Sequence, residues 1–185
     1  RFYAGRNAAN LGIGGDCTQH VLWRLDNGNL DGIAPKAAVV LIGTNNWSEN
    51  TAKEIAAGVR AVVEKLRDRL PETRILLLAL FPRGDLPEKE QLRLREASRR
   101  YSRLAADPMV TFLDIGGVFL DKDGRLPRSV MPDLLHLSET GYELWAGAME
   151  PVLHGLLQEK LRPEGAGQGA PPDSPALHIL RLLLP

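Results

Sequence analysis

The chain has 185 residues, 44% hydrophobic and 25% charged, and its 23 basic and 23 acidic side chains cancel to a formal net charge of zero. That composition supports one globular domain with a core of its own, and it excludes a globally basic nucleic-acid binder and a polybasic membrane-surface protein. A single cysteine, Cys17, excludes an internal disulfide framework and a cysteine-based zinc site, and no apolar run is long enough to cross a bilayer.

In chain order, Ala8-Ala9-Asn10-Leu11-Gly12-Ile13 reads as a weak strand. Asp16 is placed to cap a helix running through Leu25. Ala37-Ala38-Val39-Val40-Leu41-Ile42 is a continuous apolar run, the pattern of a strand buried on both faces of a parallel sheet. Thr51 and Glu54 form a capping box. It opens a helix whose Ile55, Val59, Val62, Val63 and Leu66 fall on one face. Ile75 to Leu80 is a second apolar run, and Val110 to Asp114 a third. Glu88 to Ala106 is rich in Arg, Glu, Leu and Ala and reads as a solvated helix. Ser138 can cap a last helix, along which Tyr142, Trp145, Met149, Leu153, Leu156 and Leu157 recur, with Pro151 expected to kink it.

The alternation of strands and helices predicts a parallel sheet covered by helices. After Lys160 the character changes. Arg162 to Ala176 is dense in Gly and Pro without period and reads as a disordered linker. Leu177 to Pro185 is mostly apolar, and either docks on the domain or is an arbitrary end. The expected division is a domain over 1–161 and a Gly/Pro-rich tail over 162–185.

Three motifs carry chemistry. In an open parallel sheet, ligands bind beyond the carboxyl ends of the strands. Gly12-Ile13-Gly14-Gly15-Asp16 follows the first strand and opens a helix, where glycines let backbone N–H groups approach a ligand oxygen. A dinucleotide fingerprint would need glycine at position 17, which is Cys17. A plain tight turn explains the glycines equally well. Gly43-Thr44-Asn45-Asn46 follows the second strand, and the Asn45 amide can donate to a developing oxyanion. Asn is also a common turn residue. Asp133 lies three residues before His136 on a turn ahead of a helix, so its carboxylate can hold the imidazole tautomer and stabilise imidazolium. The bland alternative is a surface Asp beside a partly buried His.

Taken together, these motifs resemble the SGNH hydrolase superfamily, the GDSL-type esterases. Within it they are similar to the catalytic alpha-subunit type of platelet-activating-factor acetylhydrolase and its bacterial relatives. Asn10 to Asp16 with His20 to Leu25 resembles the second family block, Gly43 to Asn46 the third, and Pro132 to Leu137 the last. Phe81-Pro82-Arg83-Gly84 resembles a stretch of the subfamily. The resemblance implies a three-layer α/β/α flavodoxin-like sandwich with a parallel sheet. It implies a small-molecule ester substrate with a small acyl group, hydrolysed through an acyl-serine. It implies no metal and no organic cofactor, and the family includes homodimers. Carried over by position, His136 becomes the general base and Asp133 its orienting partner. The Gly15 N–H and the Asn45 side-chain amide become oxyanion donors. Trp47 and Arg83 are candidate substrate-rim residues, with Trp47 equally explained as a packed loop residue.

The family's first block, Gly-Asp-Ser, should precede the Gly-rich turn, and Arg1 to Leu11 hold no serine. None of Ser48, Ser98, Ser102, Ser129, Ser138 and Ser174 follows Gly-Asp. Cys17 lies two residues from Gly15, but at a position that resembles a non-nucleophilic one. The resemblance therefore implies a nucleophile upstream of Arg1. It also implies a sheet lacking its first strand, with the strands that end near Ile13 and Ile42 left without a shared neighbour and the fold weakened. The competing readings are a non-catalytic SGNH-like ligand- or partner-binding protein, and an unrelated nucleotide-binding domain, which lacks a phosphate-binding Gly-Lys-Ser/Thr.

Overall fold

The computed structural model of the protein describes residues 3–157 and 179–183. The Gly/Pro-rich stretch expected as a linker, 162–176, lies outside the described residues. Strands β1 (Ala8–Asn10), β2 (Ala37–Leu41), β3 (Arg74–Leu78), β4 (Val110–Leu113) and β5 (Ile179–Leu183) form one sheet in the order β1-β5-β2-β3-β4. Every pairing is parallel. The helices are α1 (Thr18–Asp26), α2 (Ala52–Arg69), α3 (Glu88–Tyr101) and α4 (Glu139–Leu157).

The elements follow from the patterns in the chain. All five residues of β2 are buried, and so are the last four of β3, because helices cover both faces of that part of the sheet. Helix α2 begins as the capping box requires. The Glu54 N–H donates to Thr51 Oγ1, and the Thr51 N–H donates to Glu54 Oε2. Its stripe of Ile55, Val59, Val62, Val63 and Leu66 is at most 2% exposed. Each such side chain contributes about 1.5–3 kcal/mol of burial. Helix α3 stops at Tyr101 and tightens into a 3-10 turn over Ser102–Ala106. Helix α4 continues through Pro151 to Leu157.

Crossovers between parallel strands are right-handed, and the chain steps in one direction from β1 to β4. This puts α1, α2 and α3 side by side on one face, where α1 packs on α2 and α2 on α3. Helix α4 covers the other face and contacts β2. The result is the expected three-layer sandwich.

Two expectations change. The start of α1 is set by Cys17, whose N–H donates to His20 Nδ1 at 3.1 Å, and not by an Asp16 cap. Asp16 turns inward instead, because the Arg24 guanidinium, nearly two helical turns into α1, reaches it at 2.5 Å. The second change concerns the gap between β1 and β2. It is filled by β5, which pairs Ala8 to Asn10 on one side and Ala37 to Leu41 on the other. An apolar segment beyond the Gly/Pro-rich stretch thus supplies the backbone partners that the two strands would otherwise lack.

Candidate active site

The carboxyl ends of the strands open onto a cleft of about 620 Å³, open solvent at its mouth included. Gly15, Thr44, Asn45, Arg83 and His136 line it, with an apolar wall that includes Leu41, Phe81, Leu135, Tyr142 and Trp145. Four of the residues picked from the chain, Gly15, Asn45, His136 and Arg83, therefore meet in one place from four separate segments. No serine or cysteine is among the lining residues.

The dyad is built by a local turn. Asp133 Oδ1 accepts from the N–H groups of Leu135 at 3.0 Å and His136 at 2.7 Å. Its Oδ2 lies 2.6 Å from His136 Nδ1. An ionised carboxylate only accepts, so this contact requires Nδ1–H and leaves Nε2 as the basic nitrogen. The His136 ring hydrogen bond, followed by the two backbone N–H groups, holds the Asp133 carboxyl well below the usual carboxylate range. Both side chains are more than half exposed. Leu134 between them takes a left-handed φ of 66°, which costs a non-glycine residue about 1 kcal/mol. Its N–H donates to the Met131 carbonyl and its carbonyl accepts from Gly84, so the surrounding structure holds the strain. Ser138 caps the start of α4 as expected, with its Oγ accepting from the Gly141 N–H at 3.1 Å.

The Gly15–Asn45 side of the cleft is built by tertiary contacts. Gly15 has φ 81°, a conformation that only glycine adopts freely. Asn45 donates one side-chain N–H to the Asp16 carbonyl at 3.0 Å, which ties its loop to the glycine turn and leaves a second N–H on the amide. Asn46, buried next to it, accepts from the Thr18 N–H at the start of α1. Arg24 neutralises Asp16 behind the turn.

The rim candidates part company. Arg83 lines the cleft, but its guanidinium is 94% buried with the rest of the residue and donates to Asp85 and Thr44. Trp47 is not among the lining residues. It packs against the core, and Arg93 donates to its carbonyl. Cys17 is not among them either. Burial, followed by the carboxylates of Asp16 and Glu49, pushes its thiol up, opposite to what a nucleophilic cysteine needs.

The chain reading did not single out the aromatic wall. Trp145 meets Phe81 edge to face with centroids 5.1 Å apart and stacks with Tyr142 at 5.9 Å. Tyr142 and Trp145 recur at helical spacing, which looks the same for a core stripe as for a site wall. Among the described residues no group of three His, Cys, Asp or Glu stands together as a metal set, and no helix is long and apolar enough to cross a membrane.

The family model described as GDSL-like lipase/acylhydrolase matches residues 1–144. The chain belongs to that family. This acylhydrolase domain is 43% identical over 175 residues to platelet-activating factor acetylhydrolase IB subunit alpha1 of Homo sapiens, covering 92% of this chain and 71% of the relative. It is 41% identical over 158 residues to the alpha2 subunit of Rattus norvegicus, covering 83% and 67%. A GDSL-like lipase from Bacteroides thetaiotaomicron superposes with TM-score 0.69 at 16% identity over 82% of this chain and 77% of that one, a likeness of fold. Membership makes this an ester-hydrolase domain at the level of the family, with small-molecule esters as the substrate class.

Proposed function

We propose that this acylhydrolase domain cleaves esters of small acyl groups, acetyl-like in size, through an acyl-serine intermediate. The observation that carries the reading is the meeting of the His136–Asp133 pair with Gly15 and Asn45 around one cleft. In this reading His136 Nε2 takes the proton of a serine hydroxyl as its oxygen adds to the ester carbonyl. The carbonyl oxygen becomes an oxyanion, to which the Gly15 N–H and the free Asn45 amide N–H donate. Imidazolium, steadied by Asp133, returns the proton to the leaving alcohol as the C–O bond breaks. Water then repeats the sequence on the acyl-serine, releasing the acid. Leu41, Leu135, Phe81 and Trp145 form a short apolar wall suited to a small acyl chain. The acetylhydrolase relatives support the same acyl size.

The nucleophile in this reading is a serine brought to the cleft by a segment outside the lining residues, on the Gly-Asp-Ser turn that the resemblance implies. One observation favours a second reading, a non-catalytic binder of acyl ligands. Strand β5 occupies the sheet position between β1 and β2 where the resemblance would put a nucleophile-bearing strand. A fluorophosphonate probe on the full-length protein separates the two. Stoichiometric phosphonylation of one serine, with turnover of p-nitrophenyl acetate lost in parallel, supports the esterase. An unlabelled protein without turnover supports the binder.

A further inference from the structure

We infer that Arg83 is a positioning residue: its guanidinium, oriented by Asp85, holds the Thr44–Asn45 segment in register with the Asp133–His136 turn. The inference rests on the esterase reading for the meaning of that register.

Arg83 is only 6% exposed. A buried charge is costly unless it is paired and hydrogen-bonded. Asp85 supplies the pair as a fork, with Nε donating to Oδ1 at 2.8 Å and Nη2 to Oδ2 at 2.5 Å. The fork fixes the plane of the guanidinium, so the remaining nitrogen points in one direction. That nitrogen, Nη1, donates to Thr44 Oγ1 at 3.2 Å and faces the Thr44 carbonyl at 3.4 Å. Thr44 is itself 6% exposed and opens the 3-10 turn Thr44–Trp47, whose second residue is Asn45. At the far end of that turn, Arg93 donates to the Trp47 carbonyl. Two arginines from the β3–α3 side of the molecule thus hold the turn by both ends.

The next residue reaches the opposite half of the site. The Gly84 N–H donates to the Leu134 carbonyl at 2.8 Å. A Cβ at position 84 would lie 3.3 Å from both Leu134 Cβ and Cδ1, so a larger residue there requires the Leu134 side chain to give by a few tenths of an ångström. Consecutive residues therefore touch the oxyanion loop and the strained residue of the dyad turn. The segment Phe81–Asp85 sets the spacing between the donor on Asn45 and the base on His136. A direct role for Arg83 in holding an anionic substrate is disfavoured, because every guanidinium nitrogen already donates within the protein.

The test is a double-mutant cycle on the full-length protein with p-nitrophenyl acetate. Arg83→Met should lower kcat about 100-fold, as loss of an oxyanion donor does, while KM changes less than about 3-fold. In an Asn45→Ala background the same change should cost less than about 3-fold more, because the donor it positions is gone. Arg83→Lys keeps the charge without the fork. It should lose kcat to a smaller degree with the same non-additivity, and it carries the test if the Met variant does not fold. Equal losses in both backgrounds, or a raised KM at unchanged kcat, overturn the inference. His136→Ala measured alongside keeps the two readings apart. Persistent turnover in that variant removes the dyad assignment, whereas additivity in the Arg83–Asn45 cycle removes the positioning role alone.

Discussion

The two halves of the cleft are held in opposite ways. On the dyad side, Asp133, Leu135 and His136 bond to one another within four residues, and the two functional side chains stand more than half exposed. On the Gly15–Asn45 side, the two residues come from loops about thirty residues apart, tied by the Asn45–Asp16 bond and backed by the Arg24–Asp16 and Arg83–Asp85 pairs, of which Asp16 and Arg83 are the buried members. In the proposed mechanism the base has to meet the serine hydroxyl, the leaving group and water in turn. In the proposed mechanism the oxyanion donors have to be in place before charge develops. A local turn suffices for the first task, and tertiary packing is needed for the second.

Three changes break or sharpen this contrast. The largest effect should come from His136→Ala, which removes the base and should lower the kcat of the full-length protein by about 10⁴-fold while leaving its melting temperature nearly unchanged, since the ring is exposed. A large drop in melting temperature would show that the dyad turn is structural. Next is Gly58→Ala, on α2 and not among the residues that line the cleft. A methyl there would sit 2.3 Å from Thr18 Oγ1, forcing α1 away from α2 and with it the glycine turn that precedes Thr18. It should cost about 1–3 kcal/mol in denaturant unfolding. The His136 ring signals in NMR should stay put, because the dyad turn does not depend on that packing. Movement of those signals would mean that the two halves are coupled.

The smallest effect is the titration of Asp133. Its folded carboxyl lies below the ordinary value of about 3.9, held there first by the His136 ring. A depressed carboxylate contributes stability that is present above its unfolded value and lost as pH falls through the folded one. The turn should therefore persist in mild acid, and the ¹³C signal of the Asp133 carboxyl should titrate below the ordinary aspartate value of about 3.9. His136→Ala should return it toward that value. A normal midpoint in the unmutated protein would mean that the Asp133–His136 bond is not formed in solution.

This division explains what could be read from the chain. The Asp-x-x-His spacing, the Thr51–Glu54 box and the apolar runs of β2 and β3 are local codes, and each gives the element it announces. Gly15 and Asn45 were legible only as part of an ordered set of motifs, since each alone is an ordinary turn residue. Arg83 was legible as a candidate, and it lines the cleft. Its direction was not, because nothing in Phe81-Pro82-Arg83-Gly84-Asp85 says that the guanidinium faces inward to Thr44. Trp47 looked equally suited to rim and core, and the packing of α3 against its turn places it on the core.

Hydrophobic periodicity and capping chemistry by themselves determined an α/β chain with a parallel sheet, because burial and backbone satisfaction are decided within a few residues. Three features were left to the tertiary structure. One is the left-handed backbone of Leu134, which no leucine favours and which Gly84 sustains. Another is the inward turn of Asp16 toward Arg24. The last is the placing of β5 between β1 and β2, where a strand from beyond the Gly/Pro-rich stretch meets unpaired backbone on both sides. The Leu134 and β5 features depend on partners distant in the chain and the Asp16 turn on an arginine eight residues on, and the free energy of such a contact exists only once both partners have been brought together.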